Sequence, residues 1–341
     1  MDRQRLFVSV SHATDPSWRW IAHHLSSEYA WRFVGTDPKN VIERRVQRPY
    51  VARYRAAFQS AWLAKSEHAD LLVSHAPALT SVTALGASLM KLDAPHLAFA
   101  FNFTTLPHGP RRELMSKTFQ QVDRFVVPST VERKLYSEHF ELSSDKFDVL
   151  RWAVQKPHVP DGATPIIEGD YICAIGGEGR DYGTLMEAMR LLPQLRLVVV
   201  ARPHNLAGLS VPDNVTAMAN IPVPDAWNIL KFSRFAVVPL RDSEVPCGHV
   251  TLVAAMHLGK ALVITDSAGV ADYVEHDVTA LTCPPRDPAS LAKRIQELWD
   301  SPQLTERLGN TGRAFAVEHC SEHTTAQYFD RYLHQKALAL T

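Results

Sequence analysis

Short β-branched apolar runs alternate with longer stretches of helical period along the whole chain. In the first half the runs are LFVSV (6–10), WRFVG (31–35), LLVS (71–74), HLAFAF (96–101), RFVVP (124–128) and FDVLR (147–151). In the second they are YICAIG (171–176), LRLVVVA (195–201), FAVVPL (235–240), ALVIT (261–265) and TALTC (279–283). Strands that alternate with helices in this way predict parallel sheets covered on both faces. The segment QKPHVPDGATPIIEGD (155–170) has three prolines, two glycines and no period, which reads as a linker. The tail SEHTTAQYFDRYLHQKAL (321–338) returns to helical period and is expected to pack on the first domain. The pattern predicts an α/β chain of two Rossmann-like, doubly wound domains facing a cleft at the carboxyl ends of their strands. The expected boundaries are 1–155 and 166–320, with 321–341 as the returning helix.

Composition narrows the partners more than the fold. At 341 residues and 46% hydrophobic content, the chain has room for two cores of about 150 residues each. Basic and acidic residues are equal at 36 each, so no charge excess points to nucleic acid. The four cysteines contain no CxxC pair, which removes a zinc or disulfide framework and suits a reducing compartment. No apolar run reaches the roughly 18 residues of a membrane span, and the first apolar run is too short for a signal peptide. A cytoplasmic protein is expected. Segment 43–62, ERRVQRPYVARYRAAFQSAW, carries Arg44, Arg45, Arg48, Arg53 and Arg55 beside a helical stripe of Val51, Tyr54, Phe58 and Trp62. It reads either as a packed helix with a solvated basic face or as a peripheral contact with the inner face of a membrane.

The candidate chemistry lies in two glycine-bearing loops. In SEVPCGHVTLVAAMHLGK (243–260) a strand, a polar loop and a helix follow one another, the helix opening near Gly248 and stopping at Gly259. The free N–H groups of a helix opening favour an anion, and Gly248 would let a phosphate approach the backbones of His249, Val250 and Thr251. His249 and Thr251 are expected to add side-chain donors. A glycine placed there for loop geometry alone is the competing reading. In AIGGEGRDYGTLMEAM (174–189), Gly176, Gly177 and Gly179 precede Arg180, without dinucleotide or P-loop spacing. Arg180 is placed where it could grip phosphate oxygens in a bidentate manner, with Gly177 beside it; an exposed arginine that caps nothing is the competing reading.

If the anion belongs to a nucleotide, the loops ARPHNL (201–206) and NIPVPDAW (220–227) would put Arg202 near ribose or phosphate and the Val223 backbone near a base edge; a solvated arginine and a helix N-cap at Asp225 are the competing readings. In the first domain, loops after three strands supply His12, His75 and His108, with Asn102 as a further polar group, on the acceptor side. No DxD pair appears where a divalent ion is expected, so no metal is predicted.

Taken together, TLMEAM behind Arg180 and AAMHLGKALVITDSAGVADYV (254–274) resemble the retaining glycosyltransferases of family four, which have the GT-B fold. The matching positions are Ala255, Met256, Gly259, Gly269 and Asp272. The family has a Glu-x7-Glu segment whose first glutamate contacts the donor sugar and whose second contacts the ribose. Here Pro246 and Ala254 fall on those positions, and Glu244 lies two residues upstream of the first. The resemblance implies Arg180, His249 and Glu244 as catalytic candidates and Ala254 at the nucleoside. It implies transfer of a hexose from a UDP- or GDP-linked sugar to a saccharide or lipid-linked acceptor in polysaccharide or glycoconjugate synthesis. The sugar nucleotide is then a co-substrate, with no cofactor, and the anomeric configuration is retained. The alternatives are a non-catalytic sugar-nucleotide binder or partner subunit that keeps the fold, and a GT-B epimerase.

Overall fold

The apolar runs become parallel strands. The structure, a computed structural model, describes residues 5–11, 20–25, 29–46, 51–153, 156–241 and 245–338. The chain divides into two compact units, Met1–Arg151 with Thr325–Thr341, and Trp152–Thr324.

In the first unit the strands are β1 (Arg5–Ser11), β2 (Tyr29–Gly35), β3 (Leu71–His75), β4 (His96–Phe99), β5 (Arg124–Val127) and β6 (Phe147–Val149). Its helices are α1 (Trp20–His24), α2 (Val41–Arg45), α3 (Val51–Ser66), α4 (Pro77–Leu89), α5 (Gly109–Phe119) and α6 (Thr130–Phe140). Among the described residues they give a six-stranded parallel sheet in the order β2-β1-β3-β4-β5-β6. One face packs Leu6, Val8, Val10 and Leu72 against Ala56, Ala57, Ala64 and Leu79. The other packs Phe7, Leu71, Val73 and Leu97 against Ala326, Phe329, Tyr332 and Leu333. Those last four residues belong to the C-terminal helix, which therefore packs on the first sheet as the sequence suggested.

In the second unit the order along the chain is β7 (Ile172–Ile175), α7 (Tyr182–Arg190), β8 (Leu197–Ala201), α8 (Pro203–Leu206), β9 (Val215–Ala219), α9 (Val223–Phe232) and β10 (Ala236–Val238). There follow α10 (His249–His257), β11 (Leu262–Thr265), β12 (Leu281–Cys283), α11 (Pro288–Asp300) and α12 (Pro302–His319), and then the returning helix α13 (Glu322–Leu338). The second sheet, also six parallel strands among the described residues, runs β12-β11-β10-β7-β8-β9. Strands β7, β8 and β11 are buried along their whole length, as a parallel sheet covered on both faces requires. Successive residues alternate between cores: Ile172 and Ala174 face α7 and α11, whereas Cys173 and Ile175 face α9, α10 and α12.

The strand order reverses between β1 and β3 in one sheet and between β7 and β10 in the other. Such switch points leave crevices at the carboxyl ends of the strands where ligands bind. The second switch point is formed by the strands that lead into the two glycine-bearing loops.

Two expectations change. The stripe of Val51, Tyr54, Phe58 and Trp62 is not the buried face of α3; Tyr54 and Trp62 are exposed, and Ala52, Ala56, Ala57, Ala61 and Ala64 face inward. Small residues win because α3 lies close to α4: a Cβ at Gly86 would already sit 3.5 Å from the Cβ of Ala61. Strand β9 was not foreseen, because only Val215 of its five residues is buried and the apolar signal is weak. No helix among the described residues is long and apolar enough to cross a membrane. The four cysteines form no disulfide among the described residues.

Candidate functional site

The two loops at the β7/β10 switch point are joined by their backbones. Arg180 and Leu240 form an antiparallel bridge, the Asp181 N–H donates to the Pro239 carbonyl (2.9 Å) and the Arg241 N–H to the Gly179 carbonyl (2.9 Å). Gly176, at φ +128°, makes room for the side chain that follows: a Cβ there would lie 2.5 Å from Nη2 of Arg180. The guanidinium folds back over this glycine and is 4% exposed. Its Nε and Nη2 donate to the Ile175 carbonyl (3.4 Å each), Nη1 to the Glu178 carbonyl (3.0 Å) and Nη2 also to Oγ1 of Thr251 (2.9 Å).

Arg180 has no ion pair among the described residues. Burial lowers its pKa, while Tyr182, Cys247 and Glu178 act in the opposite direction. A guanidinium nevertheless stays protonated in a protein. The chain therefore holds a buried positive charge whose partners are neutral oxygens, an arrangement that is costly unless an anion completes it.

That charge lies under the opening of α10. Gly248 caps the helix in the left-handed region (φ 98°) and brings no side chain to the first turn. A Cβ at Gly248 would be 3.5 Å from Nη1 of Arg180. The first helical bond is Leu252 N–H to the Gly248 carbonyl (3.0 Å), so the amides of His249, Val250 and Thr251 precede it and have no acceptor among the described residues. Val250 is 46% exposed, so solvent reaches the turn. Open amides, the positive end of a helix and a buried guanidinium converge on one spot.

The side chains of this turn do not donate outward, contrary to expectation. Thr251 is buried, and its hydroxyl accepts from Arg180 and donates to the Ile175 carbonyl (3.3 Å). His249 is 5% exposed, donates through Nε2 to the Gly269 carbonyl (2.9 Å) and packs its ring 4.9 Å from that of Tyr273. Burial lowers its pKa, the Gly269 carbonyl and Asp272 oppose the shift, and Arg180 reinforces it. The neutral ring then keeps a bare lone pair on Nδ1, which cannot give a hydrogen bond to phosphate. Arg180 likewise offers no open bidentate fork. These three side chains build the turn, and the donors left without an acceptor among the described residues are its backbone amides.

Gly177 lies against Arg202 and Asn205, its carbonyl taking a hydrogen bond from Nδ2 of Asn205 (2.8 Å). Arg202 forms an exposed pair with Glu178 (2.6 Å), of the kind worth at most about 1 kcal/mol, so its guanidinium is readily redirected. Val223 opens α9 and is 64% exposed. Ala254 is a correction: at 1% exposure it sits in the apolar core with Leu252 and Val253 and presents nothing to a nucleoside. Pro246 is buried as well. Glu244 and His12 lie outside the described residues.

On the first sheet, His75 ends β3 with Nε2 3.5 Å from Oγ of Ser9 and its ring edge-on to Phe99. Asn102, half-buried, follows β4. His75 pairs in register with Phe99, so His75 and Asn102 share the carboxyl edge of that sheet. In the basic segment Arg55 is tied to Glu43 (2.8 Å) and to the Asp37 carbonyl (2.8 Å), whereas Arg44 and Arg45 are exposed and Arg48 lies outside the described residues. Among the described residues no group of three or more His, Cys, Asp or Glu side chains is arranged to hold a metal ion. Sequence reasoning missed Tyr273 and the Gly269 carbonyl; the one signal for them was the run AGVADYV, whose turn brings both against His249.

Residues 173–301 match the family model described as Glycosyl transferases group 1. A glycosyltransferase from Rickettsia africae superposes with a TM-score of 0.70 at 13% identity over 98% of this chain and 99% of that one. The fold is GT-B. Anabaena HepE in complex with UDP-glucose gives a TM-score of 0.71 at 12% identity over 97% of this chain and 99% of that one. Sucrose-phosphate synthase from Thermosynechococcus elongatus gives 0.68 at 16% over 99% and 100%. At these identities the likeness is one of fold. No curated protein matches the sequence.

Proposed function

We propose that the chain is a glycosyltransferase that moves a hexose from a UDP- or GDP-linked sugar to a saccharide or lipid-linked acceptor, in polysaccharide or glycoconjugate synthesis. The observation that carries this reading is the buried guanidinium of Arg180, with no ion pair among the described residues, beneath three amides of α10 that have no acceptor among them. When the bond from the anomeric carbon to the diphosphate breaks, negative charge grows on the terminal phosphate. Donors fixed beforehand stabilise that charge without reorganising, and here the amides of His249, Val250 and Thr251 would supply them, with Arg180 contributing through the field. No metal is needed for this step. Arg202 and the Val223 backbone take the ribose and base, and His75 and Asn102 take the acceptor. Retention of configuration rests on the resemblance to family four.

A non-catalytic sugar-nucleotide binder is the second reading, favoured by one observation: Ala254, at a family glutamate position, is buried in the core. A thermal-shift panel of UDP, GDP, ADP and their hexose conjugates tests the first part, since a ligand that binds only the folded state raises Tm. We expect one nucleoside diphosphate to stand out, and Arg180→Met to abolish its effect. Slow donor hydrolysis by the unaltered protein, undiminished by EDTA, supports the transferase; binding without turnover under any acceptor supports the binder. No shift with any nucleotide would remove both.

A further inference from the structure

Helix α2 is held by one residue and shows the rest to solvent. Glu43 is buried, with one carboxylate oxygen accepting from Nε of Arg55 (2.8 Å) and the other from the Lys39 N–H (2.8 Å), while the Asn40 side chain accepts the Glu43 N–H (2.9 Å). A helix of five residues does not persist alone, so these bonds fix its pose. In that pose its apolar side chains face outward: Val41 and Ile42 are 61% and 66% exposed, and the capping residue Val46 is exposed too. Tyr54, the neighbour in sequence of the arginine that pins α2, is exposed as well. Valine and isoleucine are among the residues most often buried, and several of them displayed together mark an interaction surface.

The charge around them names the partner. Lys39, Arg44 and Arg45 are exposed and form no ion pair among the described residues, whereas the carboxylate of α2 is already neutralised by Arg55. The described residues from 37 to 55 carry five lysines and arginines against two carboxylates, in a chain whose net charge is zero. A second copy of the chain docking on this patch about a two-fold axis would bring the same positive charge with it, so the occupant is anionic. A bilayer surface offers both halves of the match, phosphates for the cations and an acyl boundary for the apolar side chains.

We infer that α2 and the start of α3 form a docking surface for an anionic phospholipid bilayer, with Val41, Ile42 and Val46 entering below the headgroups and Arg44 and Arg45 on their phosphates. The surface sits at the carboxyl edge of the first sheet, because Arg55 also donates to the carbonyls of Asp37 (2.8 Å) and Gly35 (3.5 Å), the second of which ends β2. Gly35 pairs with Ser11 of β1, and β1 pairs in turn with β3, so the ends of β2 and β3 are two strand places apart, about 10 Å. A lipid-linked acceptor would then be offered on the side of the sheet where His75 and Asn102 lie. This last step rests on the transferase reading; the docking does not.

The test sediments the full chain, without nucleotide, with vesicles of phosphatidylcholine and with vesicles in which one lipid in three is phosphatidylglycerol. We expect binding to the anionic vesicles alone, weakening as salt is added. The Arg44→Gln, Arg45→Gln double variant should bind about 25-fold more weakly, roughly fivefold per arginine, and Ile42→Ser about tenfold more weakly. All three positions are exposed, so the fold is kept. Arg133→Gln with Lys134→Gln removes the same charge from exposed positions of α6 and should leave binding unchanged. No binding by the parent to anionic vesicles, an equal loss in the α6 variant, or parental binding by Ile42→Ser overturns the proposal. So does self-association that Ile42→Ser abolishes in the absence of vesicle binding, which assigns the patch to a second copy. With no nucleotide present, failure here leaves the reading of α10 untouched, and a missing thermal shift with UDP leaves the docking surface standing.

Discussion

Helices α7 and α10 open in the same way in the sequence, each after a strand and a glycine-bearing loop, and they differ in two structural respects. At α7 the loop ends in Asp181, whose Oδ1 accepts the Thr184 N–H (3.1 Å) and whose Oδ2 accepts the Thr184 hydroxyl (2.7 Å). The chain has filled that helix opening with its own anion. At α10 the capping residue is Gly248, which has nothing to give, and a guanidinium is buried below. The opening of α10 thus lacks the side-chain cap that α7 has and carries a buried charge that α7 lacks.

The largest expected effect comes from removing that charge. Arg180→Met should weaken UDP binding about 100-fold by titration calorimetry, whereas Arg202→Met, which removes a solvent-exposed contact to the ribose along with the exposed pair to Glu178, should weaken it a few-fold at most. Equal losses would mean that burial under α10 confers no special role. Next, Val250→Glu places a carboxylate on the exposed first turn of α10, in imitation of what Asp181 does for α7. It should stabilise the fold by roughly 0.5 kcal/mol through the helix dipole while lowering UDP affinity about tenfold. Opposite signs in the melting curve and the binding isotherm are the signature sought.

Asp181→Ala makes the converse change. Denaturant titration should register a loss of about 1 kcal/mol, with UDP affinity unchanged. The smallest effect concerns pH. Because burial holds the His249 pKa below its ordinary 6.5, the unfolded chain takes up this proton first as pH falls. Stability contributed by the neutral ring is complete above 6.5 and declines as pH drops below it, and His249→Gln should flatten that acid limb in urea midpoints measured across the range.

Much of this was legible beforehand. Parallel strands buried on both faces must be apolar throughout, so runs such as LVVV and LLVS announce themselves, and their alternation with helices fixes the doubly wound class. The exposed edge strand Val215–Ala219 carries no such signal. Helix α3 misled because periodicity reports where large apolar residues recur, whereas close packing against α4 selected alanines. At the β7/β10 switch point, the sequence marked the two loops that the structure joins but not how their side chains are engaged. Whether Arg180 points into solvent or back over Gly176 depends on a positive φ at that glycine and on bonds to Ile175 and Thr251, and spacing alone encodes neither. For the same reason His249 and Thr251 read as donors, although their polar atoms are already engaged with the Gly269 and Ile175 carbonyls. Ala254 was placed at the nucleoside by alignment with a family motif, and its burial in the core shows how far such an alignment reaches when the residue itself has changed.

The most direct measurement is a backbone amide NMR titration with UDP and, separately, with uridine. The amide protons of His249, Val250 and Thr251 should move downfield with UDP and stay in place with uridine, while those of Tyr182, Gly183 and Thr184 move with neither. Unmoved amides at 249–251 in UDP, or equal movement in uridine, would contradict an anion site at the opening of α10.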